Sequence, residues 1–214
     1  MEIAARINQA KYDVFLWRYE LSIVKKIALA LGLAVLTGLL AQVRFPLPWS
    51  PVPITGQTFA VLLAGVLLGR WWGGVSLAIF GGLGWVGVPW FSGWASGVTA
   101  TGGYIIGFIL AALFLGYFTD RYVRSRSFLS MLGLMLFANF ILIYIPGLLW
   151  LWLWLRAGGT SATFIVLLGM GLVPFIAGDI TKAVAAAAIA RGVTPKLAYN
   201  GEVDKGKWAD WRIP

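Results

Sequence analysis

Six long apolar stretches carry the chain, at about 23–43, 55–69, 73–88, 102–118, 128–150 and 164–190. Short connections rich in Gly, Pro and polar residues separate them. Most of the stretches match the roughly 17–25 residues that a helix needs to cross about 30 Å of hydrocarbon. The alternating ~10-residue segments of an outer-membrane barrel are absent. The second and third stretches are short and Gly-rich, with only Arg70-Trp71-Trp72 between them. They read either as two spans or as one broken hairpin. The expected fold is an all-α integral membrane protein, a six-transmembrane-helix bundle over residues 23–191.

Composition agrees with this class. Hydrophobic residues make up 60% of the 214, and charged residues only 12%, about half the fraction of a soluble domain. The net charge of +9 matters less than its placement. Fourteen cations lie before span one, between spans two and three, after span four and after span six. Only Arg44 and Arg156 fall on the other side. The positive-inside rule then puts both termini in the cytoplasm. It also makes the basic charge a matter of topology, so nucleic-acid binding is not expected. In the N-terminal segment, residues 1–22, Tyr12, Phe15, Leu16, Tyr19 and Ile23 recur at helical spacing, with Lys11, Arg18 and Glu20 interspersed. That pattern fits a short helix lying in the cytoplasmic interface or a frayed tail. The segment lacks the features of a signal peptide. Residues 192–214 read as a cytoplasmic tail.

Catalytic chemistry is scarce. The chain has no Cys and no His, which removes thiol nucleophiles, imidazole bases and the usual zinc and haem ligands. No Walker A pattern is present, so the chain does not itself hydrolyse ATP. No enzyme activity and no cofactor are expected.

Two charges stand inside the last apolar stretch. Asp179 and Lys182 lie three residues apart in Pro174-Phe-Ile-Ala-Gly-Asp-Ile-Thr-Lys-Ala183. This spacing puts both on one helix face. An ionised side chain at membrane depth costs a few kcal/mol, so that face must look into protein, ligand or water. The functional reading is a site holding an acceptor and a cation; the rival is a self-neutralising structural pair. Counting up from Arg191, Lys182 lies ~13.5 Å and Asp179 ~18 Å along a continuous helix, which places the pair from the midplane outward. Pro174 is positioned to kink that helix.

The outward connections supply candidate partners. Residues 44–57 contain four prolines and are expected to be stiff and extended. They deliver Thr55, Gln57 and Thr58 to the mouth of span two. Residues 89–104 are small, polar and aromatic, with Trp90, Phe91 and Trp94 as candidate apolar walls. Trp150, Trp152 and Trp154 read as an interfacial aromatic belt, and Arg44 as a headgroup anchor. In span one, Ala30 and Ala34, overlapped by Ala28 and Gly32, form small-residue steps that let helices approach closely.

Four blocks occur in order: Pro51-Val-Pro-Ile-Thr-Gly-Gln57 running on to Gly69, Gly84-Trp-Val-Gly-Val-Pro89, Thr101-Gly-Gly-Tyr104-Ile-Ile-Gly107, and Gly178-Asp-Ile-Thr-Lys182. Over residues 25–191 the chain resembles BioY, the biotin-binding S component of energy-coupling-factor transporters. The resemblance implies a six-helix membrane bundle with a pocket near the extracellular side. It implies that Asp179 and Lys182 contact biotin, that Thr55 and Gln57 are polar pocket residues, and that Gly102, Gly103 and Tyr104 line it. One departure is visible. The connection after span three often carries a Gly-Pro-Thr-Gly-Gly-Tyr run, sometimes with an Arg; here it reads Ser92 to Tyr104 with neither that Pro nor an Arg. Trp94 is then a candidate cover for the ligand.

The expected function is vitamin uptake at the cell membrane. The chain would capture biotin outside and pass it inward with a transmembrane coupling protein and two ATP-binding-cassette ATPases, docked through Ala30 and Ala34. The alternatives are an S component for another vitamin and a stand-alone, oligomeric transporter.

Overall fold

A computed structural model describes residues 2–198 and 201–204. Its helices are α1 (Glu2–Glu20), α2 (Ile23–Gln42), α3 (Gln57–Leu68), α4 (Arg70–Trp85), α5 (Gly102–Arg121), α6 (Phe128–Phe137), α7 (Tyr144–Ala157), α8 (Phe164–Gly171) and α9 (Ile176–Val193). A π-helical turn, Ala138–Ile143, fuses α6 to α7, and a 3-10 turn, Val173–Phe175, fuses α8 to α9. Two short strands, β1 (Arg44–Leu47) and β2 (Ser50–Thr55), form an antiparallel pair. Prolines at 46, 48, 51 and 53 remove backbone donors but tolerate a two-stranded edge. The stiff connection expected from them is therefore a hairpin.

Among the described residues, four rods are long and apolar enough to cross a membrane: Ile23–Gln42, Gly102–Arg121, Phe128–Ala157 and Phe164–Val193. The chain between the first two holds α3 and α4, of 12 and 16 residues. Only Gly69, at φ +82°, separates them. The stretch expected as two spans or one broken hairpin is thus two short helices packed side by side.

Helix α5 is the axis of the bundle. Of its apolar window 61% is buried within the chain, against 22–33% for the other three long rods. It packs on α3, α4 and α7. Missing side chains set the spacing: a Cβ on Gly65 would run into the carbonyl oxygen of Ala112 on α5. A Cβ on Gly73 would lie 2.7 Å from the Cα of Gly65 on α3. In lipid, where apolar surface alone does not drive helices together, such close contact holds them.

Buried arginines pin both terminal segments to the basic end of the bundle. Arg18 of α1 donates to the Val66 and Leu67 carbonyls, each at 3.0 Å, and to Asp120 at 2.9 Å. Those carbonyls end α3, where a cation suits the helix dipole. Asp120 also accepts from the backbone N–H of Arg70. Residues 2–20 are thus an ordered helix rather than a frayed tail. On the other side, Arg126 donates to the Thr119, Pro195 and Leu197 carbonyls and pairs with Glu202. Asp204 accepts from the backbone N–H groups of Val123 and Arg124. Residues 194–204 of the expected tail therefore fold back on the bundle where they are described; residues 205–214 lie outside the described residues.

Candidate functional site

The break at Pro174 decides where the charged pair sits. Proline removes an intrahelical donor, and the chain turns through Val173–Phe175 before α9 begins at Ile176. The interruption expected at Pro174 is therefore a 3-10 turn within the rod, and Asp179 falls in the first turn of α9. There the helix dipole favours a carboxylate.

The Asp179 side chain is 3% exposed and pairs with Lys182 at 2.7 Å. Its Oδ1 accepts from Lys182 Nζ and from the Thr58 hydroxyl, at 2.7 and 3.2 Å. Its Oδ2 accepts from Asn139 Nδ2 at 3.0 Å and from the Tyr144 hydroxyl at 2.5 Å. A carboxylate offers about four acceptor positions, and all four are occupied. Lys182 also donates to the Thr55 carbonyl and to Thr58 Oγ1, each at 2.8 Å. An ammonium has three N–H groups, and all three are committed to protein. Two opposite charges are thereby held at depth without an unpaired member, which is what a low-dielectric site demands.

This circuit closes the inner end of a cleft with about 580 Å³ of empty space, counted out to its open mouth. Gln57 and Thr58 of α3, Thr55 of β2, Tyr104 of α5 and Tyr144 of α7 supply polar lining, and Phe91, Ile105, Phe108 and Phe175 supply apolar walls. The hairpin is tied in by Gly56, whose N–H donates to the Leu40 and Val43 carbonyls. Tyr104 is fixed by donating its O–H to the Gly171 carbonyl at 2.7 Å. Gln57 Oε1 accepts from the Thr55 hydroxyl at 3.1 Å.

Of the residues singled out in the sequence, Asp179, Lys182, Thr55, Gln57 and Tyr104 come together around this cleft. Gly102 and Gly103 have a different task. A Cβ on Gly102 would meet the Trp150 indole, and one on Gly103 would meet the Pro146 carbonyl, so they seat α5 against α7. Trp90 is turned away: its indole N–H donates to the Phe80 carbonyl at 2.9 Å and its ring packs on Phe80. Trp94 is 61% exposed and does not cover the cleft. The aromatic wall is Phe91, 2% exposed. Trp150, expected in the interfacial belt, donates to the Thr99 carbonyl and steadies the same loop.

Ala30 and Ala34 are each 0% exposed, on the face of α2 that packs into the chain's own bundle. No partner helix reaches them in this arrangement. On the outer face of α2, Ala28 is exposed and Gly32 faces open space.

Asn139, Tyr144 and Gln42 were not legible as site residues. Gln42 ends α2 and latches the loop that carries Phe91: its Nε2 donates to the Phe91 carbonyl at 3.0 Å, and its Oε1 accepts from the N–H groups of Gly93 and Trp94, each at 3.1 Å. A Gln in the last turn of an apolar span, facing a Gly-rich loop, was the available hint.

Comparison with known proteins agrees with the arrangement. The BioY family model matches residues 9–199. A probable biotin transporter BioY from Methanothermobacter thermautotrophicus is 54% identical over 157 residues, 71% of this chain and 100% of that protein. A second, from Pyrococcus horikoshii, is 36% identical and covers 78% of this chain and 94% of its own. Among solved structures, the S-component for biotin from an ECF-type ABC transporter superposes with a TM-score of 0.68 at 26% identity, over 78% of this chain and 89% of that one. With the family model spanning most of its length and a relative at 54% identity, this chain belongs to the BioY family.

Proposed function

We propose that the chain is the biotin-capture subunit of an energy-coupling-factor transporter, a six-span protein of the cell membrane with both termini in the cytoplasm. It is a transport protein and not an enzyme. The observation that carries the reading is the Asp179–Lys182 pair at the inner end of a cleft in a chain of the BioY family.

The chemistry follows from the bond inventory. Biotin has a ureido ring with two N–H donors and one carbonyl, a thioether ring, an alkyl chain and an acid. Oδ1 of Asp179 is held by Lys182 and Thr58, and the Thr58 contact at 3.2 Å is the longest of the four. An entering ureido N–H takes that acceptor position, and an ammonium N–H of Lys182 turns to the ureido carbonyl. One ureido N–H and the ureido carbonyl thus take over positions that Thr58 and Lys182 fill in the empty cleft, which offsets part of the cost of desolvating the ring. Tyr144 and Asn139 stay on Oδ2 and fix the carboxylate's orientation. The thioether ring and alkyl chain lie against Phe91, Phe108 and Phe175, in keeping with an apolar pocket with few polar groups.

A transmembrane coupling protein and two ATPases supply the energy, since the chain has no nucleotide-binding motif. The exposed Ala28 and Gly32 face of α2 suits close approach by a partner helix better than Ala30 and Ala34 do.

Calorimetric titration of the detergent-purified chain with biotin, riboflavin and thiamin tests the ligand. Binding of biotin alone supports the reading, and binding of another vitamin in its place overturns it. Proteoliposomes holding only this chain separate the capture subunit from a self-contained transporter: accumulation without partners overturns the subunit role.

A further inference from the structure

A second cavity opens outside the first and shares Pro53, Phe91, Ser92 and Thr101 with it. Its empty space is about 640 Å³, again counted to the open mouth. Arg44 lines it. We propose that Arg44, with Ser92, binds the carboxylate of the ligand in this outer cavity and so sets the preference for an acid-tailed ligand. The assignment rests on the biotin reading above.

Three observations carry it. First, Lys182 is not available to an acid at the far end of the ligand. Its three N–H groups are committed to Asp179, Thr58 and the Thr55 carbonyl, and any that is released lies beside the ring-binding carboxylate. A ligand anion in the same cleft needs another cation. Second, the cation at the outer cavity is unengaged: the Arg44 side chain has no hydrogen-bond or ionic partner among the described residues. It pairs in the β1–β2 register with Thr55, whose carbonyl accepts from Lys182. One strand pair thus joins a committed cation at the inner end to an uncommitted one outside. Third, the surroundings are shaped for the guanidinium. Gly93 adopts φ +76°, and a Cβ there would lie 2.8 Å from Arg44 Cζ. Gln42 fixes that backbone through the Gly93 N–H. Beside it, Ser92 Oγ is buried without a partner, a donor suited to a carboxylate oxygen. A guanidinium matches a carboxylate with two parallel N–H···O bonds. In this chain, whose loop at 89–104 has no arginine, the cation comes from the first hairpin instead.

Biotin and biotin methyl ester share the ring and chain and differ only in the charge of the tail. Both are titrated calorimetrically into the wild-type protein and into Arg44→Gln, Gly93→Ala and Asp179→Asn variants in detergent. The wild type is expected to favour the acid by ~10–100-fold, the scale of hydrogen bonds to a charged group. Arg44→Gln should remove that preference by weakening the acid alone, with the ester within ~2-fold of wild type. Gly93→Ala, which displaces the guanidinium, should act in the same direction. Asp179→Asn should weaken both ligands alike, since it touches the shared ring. A preference that survives Arg44→Gln overturns the proposal, as does a wild type that does not discriminate. Equal loss of both ligands in Arg44→Gln also overturns it and marks Arg44 as a structural or headgroup anchor. Failure of the wild type to bind either ligand overturns the biotin reading itself, and with it this assignment.

Discussion

The Tyr144 hydroxyl donates to Asp179 Oδ2 at 2.5 Å, and Asn139, five residues before Tyr144, donates to the same oxygen at 3.0 Å. In a regular α-helix, residues five apart lie about 140° apart around the axis. The π turn over Ala138–Ile143 closes i→i+5 and brings the two onto one side. The irregular turn is therefore what allows one helix to hold a single carboxylate oxygen with two donors. π-Bulges recur at functional sites for this kind of reason.

Tyr144→Phe and Asn139→Ala are expected to weaken biotin binding by about 1–3 kcal/mol each, the cost of removing one hydrogen bond to a buried charge. Asp179→Asn and Lys182→Met are expected to cost more, ~2–5 kcal/mol, because each leaves the other charge buried and unpaired. Calorimetry on purified variants checks the order. A Tyr144→Phe variant with wild-type affinity would remove Tyr144 from the site.

Gly103→Ala should lower stability rather than affinity. The new methyl meets the Pro146 carbonyl and the Trp150 Cβ, and overpacking of this kind costs about 1–3 kcal/mol. Thermal unfolding in detergent reads the loss, and biotin titration well below the transition reads the pocket. Loss of affinity without loss of stability would return Gly103 to the ligand.

Sidedness is tested with cysteines, since the native chain has none. Ser96, Ser161 and Ser22 are all exposed. Cysteines at 96 and 161 should react with an impermeant thiol reagent added to intact cells, and one at 22 should not. Ser125 is unsuitable as a reporter, being buried and bonded to the Phe118 and Tyr122 carbonyls. Labelling only at position 22 would invert the topology.

Docking to the coupling protein is tested by two pairs of substitutions. Ala28→Trp with Gly32→Trp should abolish energised uptake while leaving biotin affinity within ~3-fold, because both positions lie on the outer face of α2 and in lipid close backbone contact carries helix association. Ala30→Trp with Ala34→Trp should damage the fold itself, since both are 0% exposed. Uptake by the first pair at the wild-type rate would leave that face without a docking role.

Much of the class was legible in the chain alone. Apolar length set the positions of the helical rods, because ~30 Å of hydrocarbon demands a minimum run. Asp179 and Lys182 stood out because charge at that depth is expensive enough to be rare. Their three-residue spacing placed them on one face. What tertiary structure decided were relationships between residues far apart in sequence. Asn139 and Tyr144 reach Asp179 only through a π turn that no spacing rule announces. Gly102 and Gly103 serve the contact with α7 because the Trp150 and Pro146 positions leave no room for a Cβ. Trp90 gave way to Phe91 because the Phe80 carbonyl captures its indole N–H. Ala30 and Ala34 turned inward because a small-residue step fits a helix of the same chain as well as a partner's. Cost tells which residues must be sheltered; only the fold tells what shelters them.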